Sequence, residues 1–528
     1  MKNTNVYNAE FRIGWMNASP DKYQRSILTI NNQFPAPNII VEQGDVINVT
    51  VINQSFEPTS IHWHGLLQQN QLHMDGVPGV TQCSILPNET FVYTLSTEAQ
   101  SGTYWYHSHF AMQYGDGLKG ILIIKDPHDP WKKFYQDEDI IQFSDWYHTP
   151  VYILLKPYLY PGELDPIPDT GLINGIGQFN CSLNQSCSYY RATIQIGTTK
   201  RFRIINTSVY ARITLTIDQH QMRLIEVDGM YLDGNQYTRT LILNPGQRYS
   251  ILVTADKNNS SQRYWIRATI HPFVDYNNNY NTSTQPNVAA ILQYVQHTDE
   301  NHSDIPSMDS FSNDQSIIDQ SLINAQTFND QSELIPMNNE KYRVPISDNI
   351  QTLFFHSQFQ GQNPGGFYFN NETFTHPTNR TLLSVLLYDN STELSWPTVT
   401  HIESNQIIDV IINNIDYAPH PFHIHGHHVW ILAQGNTNDG YLNETILHNI
   451  NYNTNNPVYR DTFIVNPFSY LVFRLQTNNP GLWMIHCHND WHLQIGMALV
   501  LNESPQQIKD YYIKKNLINN VPYQCHTH

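Results

Sequence analysis

Histidines one residue apart recur along this chain, and four such pairs stand out, two toward each end. His62-Trp63-His64 and His107-Ser108-His109 lie toward the N-terminus. His423-Ile424-His425, with His420 just before it, and His486-Cys487-His488, followed by His492 and Met497, lie toward the C-terminus. In a β-strand residues i and i+2 point to the same face, so each pair can aim two imidazoles into one cavity. Together these stretches supply ten histidines, one thiolate and one thioether, enough donors for several metal ions. The chain must therefore bring strands from its two ends together around a common site.

The donor types narrow the metal. Imidazole alone suits zinc, copper, iron or nickel. His420, Cys487 and His492 with a weak axial Met497 form the two-His, one-Cys trigonal set used by blue-copper electron-transfer sites. Zinc sites favour paired cysteines or three-residue sets, whereas one cysteine stands here among ten histidines. A solitary His-x-His would read as a solvated strand, but four independent pairs are not a chance pattern. Cys487 sits between His486 and His488, so the backbone offers a short covalent path from the blue site to neighbouring metal sites.

The motifs His62-Trp63-His64-Gly65, His107-Ser108-His109, His420-Pro421-Phe422-His423-Ile424-His425-Gly426-His427 and His486-Cys487-His488 through Met497 resemble those of the multicopper oxidases, the family of laccases, ascorbate oxidases and ferroxidases. The resemblance spans nearly the whole chain. It implies three cupredoxin domains and four copper ions. His62 and His423 would hold the type 2 copper. His64, His107 and His488 would hold one type 3 copper, and His109, His425 and His486 the other. His420, Cys487 and His492, with Met497 axial, would hold the type 1 copper. An axial Met lowers the potential relative to Leu. In similar proteins a reductant gives up electrons at the His492 edge, and O2 is reduced to water at the three-copper cluster. Asp75, in Met74-Asp75-Gly76-Val77-Pro78, and Asp490, between His488 and His492, match family acids that relay protons or orient ligand rings. The family also pairs a first-domain cysteine with one near the C-terminus, which implies Cys83–Cys525.

Composition sets wider bounds. At 528 residues the chain has room for three or four domains. Frequent Pro and Gly with little helical periodicity favour an all-β fold. A net charge of −18 argues against nucleic acid or an anionic membrane as partner. Residues 44–53, 197–206 and 405–413 echo one another, each a turn followed by an alternating strand ending in Asn. Three copies predict three related β-sandwich units of Greek-key type. We place them at 1–130, 131–296 and 336–528, with 297–335 a polar linker. The donors fall only in the first and third, so their cluster must lie where those two meet, and the second acts as spacer.

With Cys487 assigned to metal, four cysteines remain, and Cys181 and Cys187 are close enough in sequence to close a small loop. Such pairing implies an oxidising compartment. Sequons such as Asn48, Asn88, Asn206, Asn371 and Asn443 agree with secretion or display at the cell surface. No signal peptide is visible at Met1-Lys2-Asn3, which reads as a chain beginning after processing. No stretch is long and apolar enough to span a membrane.

The reductant divides two subfamilies. In iron-uptake ferroxidases an acid precedes Pro-Ile-Pro and a second stands four residues before the first type 1 histidine; here these are Asp165 and Asp416. Their hard carboxylates would bind Fe(II), with an iron permease as partner. In fungal laccases an Asp stands five residues before the Asn of Leu-Ile-Asn-Gly; here it is Asp169, which would take the proton of a phenol or arylamine. This chain has Met497 where those ferroxidases carry Leu. Readings from other classes are a copper store or carrier without turnover and a zinc-bound structural protein.

Overall fold

The computed structural model describes residues 4–160, 164–179, 188–257, 263–271, 287–296, 333–360, 366–389 and 393–526. The repeat in the sequence marks the same strand in three sandwiches. Val46–Asn53, Thr199–Asn206 and Ile407–Asn414 each pair in parallel with the first long strand of their unit, respectively Val6–Ala18, Asp137–Trp146 and Gln351–Gln360. On the other side each pairs antiparallel with a later strand, respectively Thr90–Ser96, Arg248–Thr254 and Ser469–Gln476. In Val46–Asn53 the residues Ile47, Val49, Val51 and Asn53 are buried and their neighbours partly exposed, the period of a half-buried strand.

The opposing sheets repeat too, and they position the donors. Their strand orders are Ile39–Glu42, Lys119–Lys125, Gly102–His107, His62–His64 in the first sandwich and Val399–Ile402, Ala498–Glu503, Gly481–Cys487, His420–Ile424, Thr462–Val465 in the third. In the first, His62 lies opposite His107; in the third, His423 lies opposite His486. The matching strands of the second sandwich, Arg212–Ile217 and Arg263–His271, place Arg212 opposite His271 and carry no His-x-His pair. The fold is thus all-β, with three cupredoxin-like units, and the middle one keeps the scaffold without the donors. Its core joins that of the third sandwich: Phe202, Ile204 and Leu215 belong to one buried cluster with Val410, Phe422 and Ile485.

Leu334, at the end of the segment read as a linker, is buried in this same core, and the Asp233 N–H bonds the Ile335 carbonyl. The rest of that segment, 297–332, and the Cys181 and Cys187 loop lie outside the described residues. Among the sequons, Asn88, Asn371 and Asn443 are exposed. Asn206 is not a candidate for glycosylation in the folded chain: it is fully buried and its amide donates to the carbonyls of Ala211 and Leu243. No helix is long and apolar enough to cross a membrane among the described residues.

The chain ends are tied together. Helix Pro505–Lys514 packs Ile508 and Tyr512 on Leu382, Leu383 and Leu386 of helix Leu382–Tyr388. The Tyr512 hydroxyl meets His73 Nδ1 of the first sandwich at 2.8 Å. Beyond it Cys525 is disulfide-bonded to Cys83, 442 residues away, the pairing that the family resemblance implied. Closing so long a loop restricts the unfolded chain. The Cys83→Ser/Cys525→Ser variant is therefore expected to lose about 2–5 kcal/mol of stability, read as a lower midpoint in thermal unfolding of the oxidised proteins.

Candidate metal centre

Strand alternation divides the donors between two sites. Cys487 ends strand Gly481–Cys487, and on its face it meets His420 of the neighbouring strand. The Cys487 Sγ lies 3.8 Å from His420 Nδ1 and 3.6 Å from His492 Nδ1, and those two nitrogens are 3.1 Å apart. His492 arrives on a short helix, Asp490–Gln494, whose start is capped by the Asn489 side chain accepting from the Trp491 N–H. The turn that follows returns Met497 to this site. Its carbonyl accepts from the Cys487 N–H, its N–H donates to the His492 carbonyl, and its side chain is fully buried. Phe367 covers both rings, with centroids 4.3 Å from His492 and 5.3 Å from His420. The outer nitrogens are also fixed: His420 Nε2 lies 3.0 Å from Asp416 Oδ2, and His492 Nε2 lies 2.9 Å from Asp165 Oδ2. Each ring thus donates Nε2–H to a carboxylate and turns its Nδ1 lone pair toward the sulfur.

The remaining eight histidines converge on the other side of Cys487. His425 Nε2 and His486 Nε2 are 3.2 Å apart, grouped with His109. His64 Nδ1 and His488 Nε2 are 3.2 Å apart, grouped with His107. The rings of His62 and His423 are 5.8 Å apart. Backbone carbonyls fix four of the eight outer nitrogens: Nδ1–H donates from His62 to Asp75, from His107 to Ser108, from His423 to Asp461 and from His486 to Cys487, at 2.7–3.0 Å. His425 Nδ1 donates instead to the Asp75 carboxylate, at 2.9 Å. Those five rings accordingly present Nε2 lone pairs inward.

These donors fit a transition metal. The Nε2 atoms of His62, His107 and His423, both ring nitrogens of His109 and Nδ1 of His488 are buried without a hydrogen-bond partner. Facing lone pairs in a dry interior are costly unless a cation meets them. Nitrogens 3.1–3.2 Å apart suit two donors about 2 Å from one ion. Burial, reinforced by neighbouring rings, holds the pKa of His64, His107, His109 and His486 well below the ordinary histidine value. Burial likewise lowers His423 to about 4 and His425 and His488 to about 3. The rings are thus neutral, the form that binds metal. Burial pushes the Cys487 thiol up, so its thiolate needs a cation beside it. Nitrogen donors with one thiolate and one thioether match copper.

The acids fall in different places. Asp75 is fully buried; burial pushes its pKa up, but the charges and hydrogen bonds of His425 and His62 outweigh this and hold it well below the usual carboxylate range. Gly76 makes this turn possible, since its φ is +89° and a Cβ there would sit 1.9 Å from the Ile61 carbonyl oxygen. Asp490 is buried, which raises its pKa to about 7, and it accepts from the Gln494 amide at 3.1 Å rather than from a ligand ring. Asp169 is not brought to His492. Its N–H bonds the Trp146 carbonyl, and its carboxylate accepts from the His148 N–H at 2.7 Å. Sequence reasoning missed Asp461, Thr462 and Arg248, which touch the cluster rings or each other behind them. The signal was there: Arg460-Asp461-Thr462 opens the otherwise apolar strand Thr462–Val465, and all three are fully buried.

Known proteins agree with this geometry. Multicopper oxidase family models match residues 12–129, 137–297 and 358–507. The iron transport multicopper oxidase fio1 of Schizosaccharomyces pombe is 33% identical, over 94% of this chain and 76% of its own length. Laccase-1 of Cryptococcus neoformans var. grubii is 32% identical, over 93% and 79%. The crystal structure of Fet3p, a multicopper oxidase that functions in iron import, superposes with TM-score 0.80 and 28% identity, covering 98% of this chain and 96% of Fet3p. The laccase from Botrytis aclada superposes with TM-score 0.77 and 27% identity, covering 98% and 93%. This chain belongs to the multicopper oxidases, copper enzymes that couple oxidation of a reductant to reduction of dioxygen.

Proposed function

We propose that twelve side chains of this chain hold four copper ions and that its natural reductant is Fe(II). His62 and His423 serve the type 2 ion. His64, His107 and His488, and His109, His425 and His486, serve the two type 3 ions. His420, Cys487, His492 and Met497 serve type 1. Copper in these sites supplies one-electron redox chemistry, joining a reductant at the type 1 position to four-electron reduction of O2 at the cluster. The protein contributes the positions. The Cys487 backbone is the covalent link between the two donor groups, and burial keeps water from the thiolate. Asp75 orients His62 and His425, and Asp490 is the second acid placed to relay protons. The three units correspond to 1–130, 131–296 and 336–528, with copper donors only in the first and third.

One observation carries the choice of iron: Asp165 and Asp416 each bond the outer nitrogen of a type 1 histidine, at 2.9 and 3.0 Å, while Asp169 is engaged with His148. Carboxylate oxygens are hard donors that suit a hard cation, and they bind Fe(III) more tightly than Fe(II), which favours loss of the electron. An iron ion on either carboxylate stands one hydrogen bond from a ligand ring. Tyr158 donates to the other oxygen of Asp165 at 2.8 Å and steadies it. The disulfide supports an extracellular setting, secreted or at the cell surface, and an iron permease is the partner that would take Fe(III).

The test is oxygen uptake by the copper-loaded enzyme with Fe(II) and with a dimethoxyphenol, beside the Asp165→Ala/Asp416→Ala and Asp169→Ala variants. The double variant is expected to lose kcat/KM for Fe(II) by about 10–100-fold, the scale of losing a partner that orients a metal ligand, while keeping phenol oxidation. Phenol turnover that depends on Asp169, with Fe(II) oxidised no faster than without enzyme, would make the chain a laccase instead.

A further inference from the structure

The middle sandwich carries none of the twelve proposed copper donors, yet its loop between Thr240–Leu243 and Arg248–Thr254 lies against the cluster. Gly246 in this loop has φ +84°, and a Cβ on it would stand 2.8 Å from His488 Cδ2 and 3.0 Å from His64 Cε1. Two residues on, Arg248 is fully buried and grips Asp461 of the third sandwich with both arms: Nη1 to Oδ1 at 2.6 Å and Nη2 to Oδ2 at 2.7 Å. Its Nε donates to the Thr103 carbonyl of the first sandwich at 3.1 Å. One guanidinium thus ties all three units together behind the cluster.

The chain of contacts continues to a ligand ring. The Thr462 hydroxyl donates to Asp461 Oδ1 at 2.7 Å. Its proton is thereby committed, and its oxygen is left to accept. His64 Nε2 lies 3.1 Å from that oxygen. His64 must then carry its proton on Nε2 and present Nδ1, which faces His488 Nε2 at 3.2 Å. This reverses the orientation of His62, His107, His423, His425 and His486, whose Nδ1 atoms face outward. Gln247 of the same loop holds the Thr462 carbonyl at 3.2 Å.

We infer that Arg248, Asp461 and Thr462 form a positioning relay that fixes the tautomer of His64, so that the donor-free middle sandwich sets the geometry of the copper cluster. This rests on the copper assignment of the cluster. A carboxylate held by a forked guanidinium cannot rotate away. The threonine it holds can only accept, and the histidine it meets can only donate. Lysine at 248 could not fork both oxygens, and valine at 462 would keep the shape of threonine but offer no acceptor.

The experiment titrates the copper-loaded protein with a copper chelator and follows copper per chain, the electron paramagnetic resonance signal of the non-blue copper, and the blue absorption. Thr462→Val is expected to release cluster copper at about 10–100-fold lower chelator than the unaltered protein, with a changed non-blue signal and the blue absorption retained. Thr462→Ser, which restores the hydroxyl, is expected to match the unaltered protein. Arg248→Lys is expected to shift in the direction of Thr462→Val, and it keeps the test open should Thr462→Val fail to fold. Thr462→Val with unchanged copper retention and signal would overturn the relay, as would loss of blue and non-blue copper in step. An unaltered protein that takes up no cluster copper would instead sink the copper assignment itself.

Discussion

Cys487→Ser removes the blue absorption and cuts oxygen uptake by more than about 100-fold, since even an outer partner of a metal ligand is worth 10–100-fold. The expectation follows from the place of Cys487. It is the free cysteine among the described residues, fully buried, and its sulfur stands 3.6 and 3.8 Å from the two Nδ1 atoms it shares a site with. Serine cannot supply a soft thiolate, so copper there loses its strongest donor and the charge-transfer colour that a thiolate gives. The fold should survive, because Cys487 contributes its backbone N–H to the Met497 carbonyl and serine keeps that bond. Visible absorption and an oxygen electrode check this against circular dichroism of the same samples. A blue, active Cys487→Ser protein would remove the type 1 assignment.

Asp75→Ala produces the second largest effect, and it falls on the other half of the reaction. The carboxylate stands 2.9 Å from His425 Nδ1 and 3.3 Å from His62 Nδ1, and the Asp75 carbonyl accepts from His62 at 2.7 Å. Alanine keeps the carbonyl contact but leaves the His425 N–H buried without an acceptor, at a cost of about 1–3 kcal/mol. The blue site is remote from this change and should fill and bleach as before. Oxygen consumption should fall about 10–100-fold. Mixing fully reduced protein with O2 separates the two halves: the blue colour should return slowly in Asp75→Ala, and Asp75→Asn, which keeps one acceptor, should fall between. Recovery at the unaltered rate would show that Asp75 is a passive turn residue.

Much of the site was legible because the His-x-His motifs and their resemblance to the multicopper oxidases carried it. His62-Trp63-His64 occupies a strand, as its spacing allowed, whereas the pairing of His62 with His107 on a distant strand could not be read from spacing. Cys487 and His486 separate to two faces because side chains alternate along a strand. The repeat at 44–53, 197–206 and 405–413 found the equivalent strand in each sandwich, although only Val46–Asn53 alternates in burial, Thr199–Asn206 and Ile407–Asn414 being buried at all but their first residue. What could not be read was set by contacts between distant units. Asp169 satisfies the local spacing of a laccase acid, yet a hairpin contact to Trp146 turns it to His148. Asn206 fits a sequon but lies in a sheet interior. Asp461 and Arg248 are 213 residues apart and meet only because the second sandwich packs on the third. Their one local trace is a charged pair at the head of an apolar strand.

The central claim is that donors from the two ends of the chain form one cluster that reduces dioxygen fully to water. The most direct measurement is the ratio of Fe(II) oxidised to O2 consumed by the copper-loaded protein, with hydrogen peroxide assayed in the same vessel. Four Fe(II) per O2 with no peroxide is the expected result. Two Fe(II) per O2 with peroxide accumulating would contradict it, because the cluster would then be passing electrons to oxygen without completing the reduction.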